Sequence, residues 1–325
     1  MKKYWVQQYH INHYEQWNAF IGQAKNATFL LHRDFMEYHN DRFVDHSLLV
    51  YENEKLVAVL PANKVENTVY SHQGLTYGGL IYTEKIKLTT VIQILKAVLI
   101  HLEENAIATL YVKTIPSLYH QKPAEELLYV LFVAKAQLVR RDSLSVLDLK
   151  QPNAISKIRK RGIQKGISNK LQVKEVTDFD LFWNQILLPN LALKHHTKPV
   201  HSLPEITKLK NLFPNNIRQF NVYQNDIIVA GTTIFETETA AHCQYISKAA
   251  NDENLGGLDL LFAHLIANEF KNKRFFDFGI SNEDQGQKLN EGLSYWKESF
   301  GASTLVQDCY EVKTANYSAL ETVLI

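Results

Sequence analysis

An internal repeat constrains the fold of this chain more than any other feature of its sequence. Residues 50–58 read VYENEKLVA and residues 222–230 read VYQNDIIVA, so that five letters match in register at an offset of 172. Each copy has an apolar run, a polar turn and a second apolar run, which is the pattern of a β-hairpin. Because self-similarity within a chain indicates repeated structural units, the sequence predicts two related halves.

The segments that follow the two hairpins occur in the same order. The first half continues with a strand (67–73), a loop with three glycines, a helix (87–104) and a strand (109–115); the second half continues with a strand (240–247), a loop (251–257), a helix (258–271) and a strand (275–279). This order is similar to that of the acetyltransferase (GNAT) fold. We therefore expect an α+β chain of two tandem GNAT-like domains, each a mixed, mostly antiparallel splayed sheet flanked by helices. The alternative is two unrelated α+β domains.

The boundary between the two domains is expected near the segment LDLKQP (147–152), which follows a strand and contains a proline. This boundary gives an N-terminal domain of residues 1–148 and a C-terminal domain of residues 149–325 that holds the donor site. A chain of 325 residues with 46% hydrophobic residues is large enough to bury two cores.

Composition excludes several classes of protein. The formal net charge is +1, so recognition of nucleic acid or of a membrane surface by charge has to be local. The longest apolar stretch (88–102) is interrupted by polar residues and is too short to span a bilayer. Cys243 and Cys309 have neither metal-ligand nor redox spacing, and none of the thirteen histidines forms an HxH or HExxH motif. We expect a soluble cytoplasmic protein with reduced cysteines, no membrane insertion and no metal.

The segment 154–170 (AISKIRKRGIQKGISNK) carries six positive charges and no acidic residue. One interpretation is a solvated helix face packed near acidic residues elsewhere in the chain. The other is a contact for a phosphate-rich ligand, either the donor nucleotide or an RNA end, because arginine and lysine suit phosphate oxygens. On the second interpretation Arg159 and Lys160 bind the donor.

A glycine pair precedes the helix of the second half. Glycine allows a ligand to approach the backbone closely, and the free N–H groups and dipole of a helix N-terminus attract phosphate. The pyrophosphate of a carrier such as coenzyme A would fit here, although glycine is also common in ordinary turns. The candidate donor-binding residues of this loop are Asn254, Leu255, Gly256 and Gly257.

Two further loops are candidates for substrate contacts. The first-half loop SHQGLTYGG (71–79) contains His72 and Tyr77 and is a poorer anion cradle, so it is a candidate for holding the acceptor. The segment 188–206 has three prolines, which favour an ordered loop or lid over a long helix. Its candidate substrate-binding residues are Lys194, His196, His201 and Ser202.

Several stretches of the chain resemble the Fem-type peptidyltransferases and their relatives in the GNAT superfamily. They are FLLHRDFMEYHNDRFVDHSL (29–48), the SHQGLTYGG loop, the basic segment and FFDFGISNEDQGQKLNEGLSYWKESFGAS (275–303). The last is the most specific: a strand with Asp277-Phe278-Gly279, then Trp296-Lys297-Glu298 and Phe300-Gly301, resembles the family ending D-F-G…F-K-x-x-F-G. The chain shows no sustained heptad run, whereas many Fem ligases that read tRNA carry a coiled-coil insertion.

The resemblance implies transfer of an acyl group from acyl-CoA or aminoacyl-tRNA to an amine, with a small molecule or cell-envelope precursor as the acceptor. It also implies that the backbone of strand 241–247 polarises the donor carbonyl. On that strand His242 is a candidate base or a structural histidine, and Tyr245 a candidate acid for the leaving group or a packed tyrosine. Strand alternation places His242 and Gln244 on one face and Tyr245 on the other.

Two residues of the family ending complete the candidate set. Asp277 is a carboxylate that binds the amine or caps the following turn, and Lys297 meets a phosphate or acidic partner or is a surface lysine. The alternative to an enzyme is a non-catalytic ligand-binding protein with a degenerate acetyltransferase fold.

Overall fold

The computed structural model describes residues 3–195, 197–249 and 255–325, which form two compact units. Unit 1 comprises Met1–Asp142 together with Val306–Ile325, and unit 2 comprises Ser143–Leu305. The division lies close to the expected boundary at residues 148 and 149. Residues 306–325, however, belong to unit 1, whereas the sequence assigned them to the second domain.

The helices and strands are as follows. The strands are β1 (Tyr4–Gln8), β2 (Val44–Asp45), β3 (Leu48–Glu52), β4 (Lys55–Leu60), β5 (Asn63–Val65), β6 (Thr68–Tyr70), β7 (Ile81–Tyr82), β8 (Thr109–Lys113), β9 (Gln137–Asp148), β10 (Gln172–Val176), β11 (Ile217–Gln224), β12 (Ile227–Glu236), β13 (Ala240–Lys248), β14 (Phe275–Ile280), β15 (Asn282–Glu283), β16 (Lys288–Leu289) and β17 (Ser303–Lys313). The α-helices are α1 (Tyr14–Ile21), α2 (Arg33–Met36), α3 (Leu88–Glu104), α4 (Glu126–Val133), α5 (Lys157–Ser168), α6 (Asp180–Phe182), α7 (Leu188–His195), α8 (Leu203–Leu212), α9 (Gly257–His264) and α10 (Glu291–Glu298). Single π-helical turns, Trp183–Leu187 and Leu265–Glu269, follow α6 and α9.

The two predicted hairpins are confirmed, and they match in detail. Strands β3 and β4 form the first hairpin, and β11 and β12 form the second. The pairing register shifts after Val50 in one and after Val222 in the other, at the same offset as the sequence repeat. Asn53 and Asn225 both adopt a left-handed conformation, with φ of 55° and 53°, which asparagine tolerates better than most residues.

Unit 1 contains a four-stranded sheet in the order β1-β3-β4-β7 and a second run of strands in the order β17-β8-β6-β5-β2. The sequence predicted that residues 67–73 form the third core strand. Instead β7 pairs with β4, and β6 pairs with β5 and, in parallel, with β8. The hairpin of β5 and β6 therefore belongs to the second group of strands, and β7 occupies the position beside β4. Helix α3 buries seven apolar side chains in its core.

Unit 2 is a sheet in the order β10-β11-β12-β13-β14-β9, with residues 144–148 of β9 pairing to β14. Neighbouring strands are antiparallel except β13 and β14, which run parallel and pair only from Ala240↔Phe275 to His242↔Asp277. Beyond that point β13 and β14 separate, so the sheet is splayed as expected. Aromatic side chains of α9, β14, α10 and the turn after α10 fill the core on one face: Phe262, Phe276, Phe278, Trp296 and Phe300.

The basic helix α5 packs directly on α9 through glycines. A Cβ added to Gly162 would lie 1.7 Å from Oδ2 of Asp259, and one added to Gly166 would lie 2.9 Å from Cβ of Leu260 and 3.0 Å from the carbonyl oxygen of Gly256. Glycine lowers the stability of an isolated helix, and here it permits the close contact. The packing on α9 thus supplies the tertiary contacts that a helix with two glycines needs.

The expected loop at residues 188–206 is largely helical, and this corrects the sequence interpretation. Helix α7 covers residues 188–195 and α8 begins at residue 203. Pro204 lies in the first turn of α8, where the missing N–H is not needed. Pro189 follows the π-helical turn Trp183–Leu187, a local break in the regular hydrogen bonding that accommodates a residue without a donor.

Candidate active site

A histidine–carboxylate pair lies at the point where β13 and β14 separate. Nδ1 of His242 is 2.8 Å from Oδ2 of Asp277, and Oδ1 of Asp277 accepts a 2.7 Å hydrogen bond from the backbone N–H of Gly279. The carboxylate is fully buried. Because Asp277 accepts at Nδ1, the neutral imidazole carries its proton there and its basic nitrogen is Nε2.

Lys297 completes this group of side chains. Its Nζ donates to the carbonyl oxygens of Gly279 (3.0 Å) and Ile280 (2.6 Å), and the side chain is only 2% exposed. Burial lowers the pKa of Lys297 from 10.5 to about 8, while the negative charge of Asp277 favours the ammonium. The structure thus places His242, Asp277 and Lys297 in one connected network.

The backbone conformation of Gly279 in β14 connects Asp277 with Lys297. Its φ is +74°, a conformation that other residues rarely adopt, and a Cβ there would lie 3.4 Å from Cε1 of His242. The residue turns the backbone so that its N–H reaches Asp277 and its carbonyl reaches Lys297.

Unit 2 also contains a cavity of about 550 Å³. Gly256 and Gly257 at the start of α9 and Arg159 of α5, three of the candidate donor-binding residues, line it. Further residues of α9 and residues of the segment 187–191, β13 and α10 complete the lining: Leu187, Asn190, Leu191, Ile246, Ser247, Lys248, Leu258, Asp259, Leu293 and Trp296. Polar and apolar groups contribute about equally to the lining, and the volume lies in the range of small-molecule sites.

An internal ion pair lies on the wall of this cavity. Asp259, the third residue of α9, binds Nη1 of Arg159, and the indole of Trp296 is also hydrogen-bonded to the carboxylate. Burial raises the pKa of Asp259, and Arg159 opposes that rise. A carboxylate of the chain thus already occupies the first turn of α9, where a helix attracts negative charge. A phosphate bound there would share the helix N-terminus with Asp259.

A β-bulge changes which side chains share a face of β13. Thr233 pairs with Tyr245 and Ile234 with Cys243, so Gln244 is an extra residue. Cys243 and Ile246 both belong to the core beside α9, whereas the Tyr245 ring packs on Trp183, 5.1 Å away. The sequence prediction that Tyr245 faces away from His242 is therefore wrong, because the bulge shifts the alternation by one residue.

Tyr245 and His201 form a second contact. The Tyr245 hydroxyl accepts a 3.1 Å hydrogen bond from the backbone N–H of His201 and lies 2.7 Å from Nδ1 of the same residue. Burial raises the pKa of Tyr245 to about 12. Next to His201, the exposed Ser202 caps α8 in a reciprocal arrangement with Glu205. These contacts fix the turn between α7 and α8.

The other predicted site residues are dispersed. Lys160 is exposed and does not line the cavity, and the carbonyl of Leu255 accepts a hydrogen bond from Asn169. His72 and Tyr77 are buried in unit 1, where His72 stacks on His39 and the Tyr77 hydroxyl lies 2.9 Å from Oγ1 of Thr28. Asn254 and His196 lie outside the described residues, as does the side chain of Lys194.

Sequence reasoning missed several residues of the cavity. Asp259 could have been recognised from the sequence, because it is an acidic residue three positions after Gly256, the N-cap of α9. No feature of the sequence pointed to Asn190. In the structure its side chain donates to Oγ of Ser247 (2.7 Å) and to the carbonyl oxygen of Lys248, and these bonds join α7 to the C-terminal end of β13. Trp296 was noted only as part of the family ending.

Within residues 3–195, 197–249 and 255–325, no helix combines the length and apolar character needed to cross a bilayer. The same residues contain no group of three or more histidine, cysteine, aspartate or glutamate side chains placed to hold a metal ion.

Comparison with known proteins supports the fold. No family model matches the sequence, and no curated protein matches it. Among solved structures, FemX superposes with a TM-score of 0.66 at 10% identity, covering 93% of this chain and 96% of FemX. The C-terminal domain of a putative lysylphosphatidylglycerol synthetase from Agrobacterium fabrum superposes with a TM-score of 0.56 at 12% identity, covering 85% of each chain. A tandem GNAT protein from the clavulanic acid biosynthesis pathway gives 0.51 at 10% identity, covering 97% of this chain and 99% of that protein.

These similarities extend over both units and agree with the duplicated hairpins and the splayed sheet of unit 2. The expected fold is thus confirmed: the chain has a tandem GNAT-like fold, similar to the folds of FemX and of the tandem GNAT protein.

Proposed function

We propose that this chain is a transferase that moves an acyl or aminoacyl group from acyl-CoA or aminoacyl-tRNA to an amine acceptor in the cytoplasm. The observation that carries the proposal is the network of His242, Asp277 and Lys297 at the opening of the sheet, in the unit that also holds the large cavity. The names of the similar structures, FemX and lysylphosphatidylglycerol synthetase, agree with such chemistry. The acceptor is proposed to be a small molecule or a cell-envelope precursor.

The roles follow from general acid–base chemistry. The acceptor ammonium loses a proton to Nε2 of His242, and the buried carboxylate of Asp277 stabilises the imidazolium that forms. The neutral amine then attacks the donor carbonyl. The imidazolium returns this proton to the departing sulfur or oxygen, so that the carrier leaves as a thiol or a hydroxyl, and the second proton that the nitrogen loses as the amide forms passes to solvent. Lys297 supplies positive charge for the developing oxyanion, since its two carbonyl partners take only two of the three N–H donors of an ammonium.

The cavity is proposed to hold the donor. Gly256, Gly257 and Arg159 contact its polar part, and the leucines and Trp296 contact its acyl or aminoacyl part. Tyr245 is assigned a positioning role, because its hydroxyl is engaged by the backbone N–H and the ring of His201.

The test is a transfer assay with labelled acyl-CoAs and aminoacyl-tRNAs and a panel of amines. We expect His242→Gln to lower kcat by about 10²- to 10⁴-fold, the usual contribution of a general base. His264→Gln, which changes a histidine at the end of α9 that pairs with Glu269, is the matched control and should leave kcat unchanged.

Two outcomes contradict the proposal. Equal loss in both histidine variants would show that the effect is structural. Protection of the protein against heat by a carrier, with no transfer to any amine, would instead support a ligand-binding protein without catalysis.

A further inference from the structure

Unit 2 contains a segment, residues 149–174, that is rich in lysine and arginine, and the proposed reaction involves only Arg159 of these cations. Residues 149–174 contain eight lysines and arginines and no acidic residue, although the net charge of the whole chain is only +1. Seven of these eight side chains are exposed, and Arg159 is the exception: Lys150, Lys157, Lys160, Arg161, Lys165, Lys170 and Lys174. The rest of the chain is therefore net acidic, and this segment is a local cationic surface.

Helix α5 orders three of these cations into a stripe, defined here as Lys157, Lys160 and Arg161. Residues three and four apart share one side of a helix, so the stripe occupies a single side of α5. The opposite side carries Arg159, Gly162 and Gly166, which meet Asp259 and Gly256 of the cavity wall. A ligand in the cavity therefore contacts the other side of α5 and does not account for the stripe.

The glycine contacts also fix the orientation of α5. Because Gly162 and Gly166 admit no larger side chain against α9, the helix cannot rotate to bring the stripe inward. The side chains of the stripe therefore remain directed at solvent and available to an external partner.

Two isoleucines distinguish between classes of anionic partner. Ile158 and Ile167, on the two edges of the stripe, are 48% and 53% exposed. The phosphate backbone of a nucleic acid binds cations but offers little to aliphatic side chains. The interface of an anionic bilayer accepts both, cations at the headgroups and aliphatic groups at the boundary with the acyl chains. The aliphatic stems of lysine and arginine suit the same boundary.

We propose that the stripe, with Ile158 and Ile167, docks unit 2 on an anionic membrane surface. This docking does not depend on the proposed transferase activity. It is peripheral, with α5 lying on the surface and no segment crossing the bilayer. The electrostatic part of the binding should weaken as salt screens the charges, and the isoleucine part should persist.

The test is co-sedimentation of the full chain with phosphatidylcholine vesicles that contain either no anionic lipid or about 30% phosphatidylglycerol. We expect binding only to the anionic vesicles. The double variant K157Q/R161Q should weaken the binding roughly 25-fold, since each cation near such a surface contributes about fivefold. The variant K55Q/K85Q removes two exposed lysines of unit 1 and should bind as the wild type does.

The variant I158S/I167S and an RNA oligonucleotide separate the membrane from nucleic acid. We expect I158S/I167S to weaken vesicle binding roughly tenfold or more at a salt concentration that screens the charges. Absence of binding to anionic vesicles overturns the proposal. It is also overturned if the RNA binds with the steep salt dependence of phosphate contacts and competes with the vesicles, while I158S/I167S has no effect on either.

Discussion

Lys297 is the residue whose charge state bears most directly on the proposed chemistry. Its ammonium is buried and held by two backbone carbonyls, and Asp277 is the nearby negative charge that favours the protonated form. Because burial lowers the pKa of Lys297 to about 8, a fraction of the protein carries a neutral amine at slightly alkaline pH. Loss of the ammonium above pH 8 should therefore reduce transfer activity.

The pKa of Lys297 can be measured by NMR titration of protein labelled with ¹³C at the lysine Cε. We expect one lysine with a midpoint near pH 8, absent from the spectrum of Lys297→Met. Asp277→Asn should move this midpoint lower still, because the ammonium loses the negative charge that stabilises it. A midpoint near pH 10.5 for every lysine would contradict the assignment.

The same shift predicts the sign of a stability change. Between pH 8 and 10.5 the unfolded chain keeps the Lys297 proton that the folded chain loses, so the free energy of unfolding should rise with pH across this window. Below pH 8 both states bind the proton, and the full cost of burying the charge is present. Urea unfolding at pH 8 and pH 10 should show a larger increase for the wild type than for Lys297→Met.

At the scale of elements, the contact between α5 and α9 joins the basic helix to the cavity. Gly162 faces the carboxylate of Asp259, which is itself held by Arg159 and Trp296. A methyl group at this position has no free space, because the buried carboxylate cannot swing away without losing these partners. The two glycines that lower the intrinsic stability of α5 are thus required by its packing.

We expect Gly162→Ala to lower the free energy of unfolding by about 2 kcal/mol, the overpacking cost exceeding the gain in helix propensity. Gly292→Ala in α10 is the matched control: the nearest atom to its Cβ would be 3.9 Å away, so the higher helix propensity of alanine should stabilise the protein by up to about 1 kcal/mol. Urea unfolding of both variants gives the comparison. Equal stabilisation by the two substitutions would show that α5 can move away from α9.

The sequence predicted the elements whose signals are local. The hairpins, α3, α5 and β14 were recognisable from turn residues and apolar periodicity. The bulge at Gln244 and the pairing of β7 instead of β6 with β4 were not, because strand pairing depends on tertiary contacts between distant residues. For the same reason the sequence named His242 and Asp277 separately but could not show that they are hydrogen-bonded.

At the scale of the whole molecule, the end of the chain completes the unit formed by its beginning. Strand β17 pairs with β8 from Cys309↔Lys113 to Lys313↔Thr109, and the 3-10 segment Thr314–Leu320 follows. Oγ1 of Thr314 donates to the carbonyl oxygen of Ile107, and the Asn316 side chain donates to that of Ala134. An assignment of domains by sequence order alone could not anticipate this return.

Leu320 tests this dependence, because it is 1% exposed and lies in the core of unit 1 with the apolar residues of α3. We expect Leu320→Ala to cost about 2–5 kcal/mol of stability, the usual range for a buried leucine. Each unit has its own core, so native-state hydrogen exchange should show faster exchange in α3 and little change in β12 of unit 2. Leu324→Ala, at a position 46% exposed, should change neither, and equal acceleration in both units by Leu320→Ala would show that they unfold as one cooperative body.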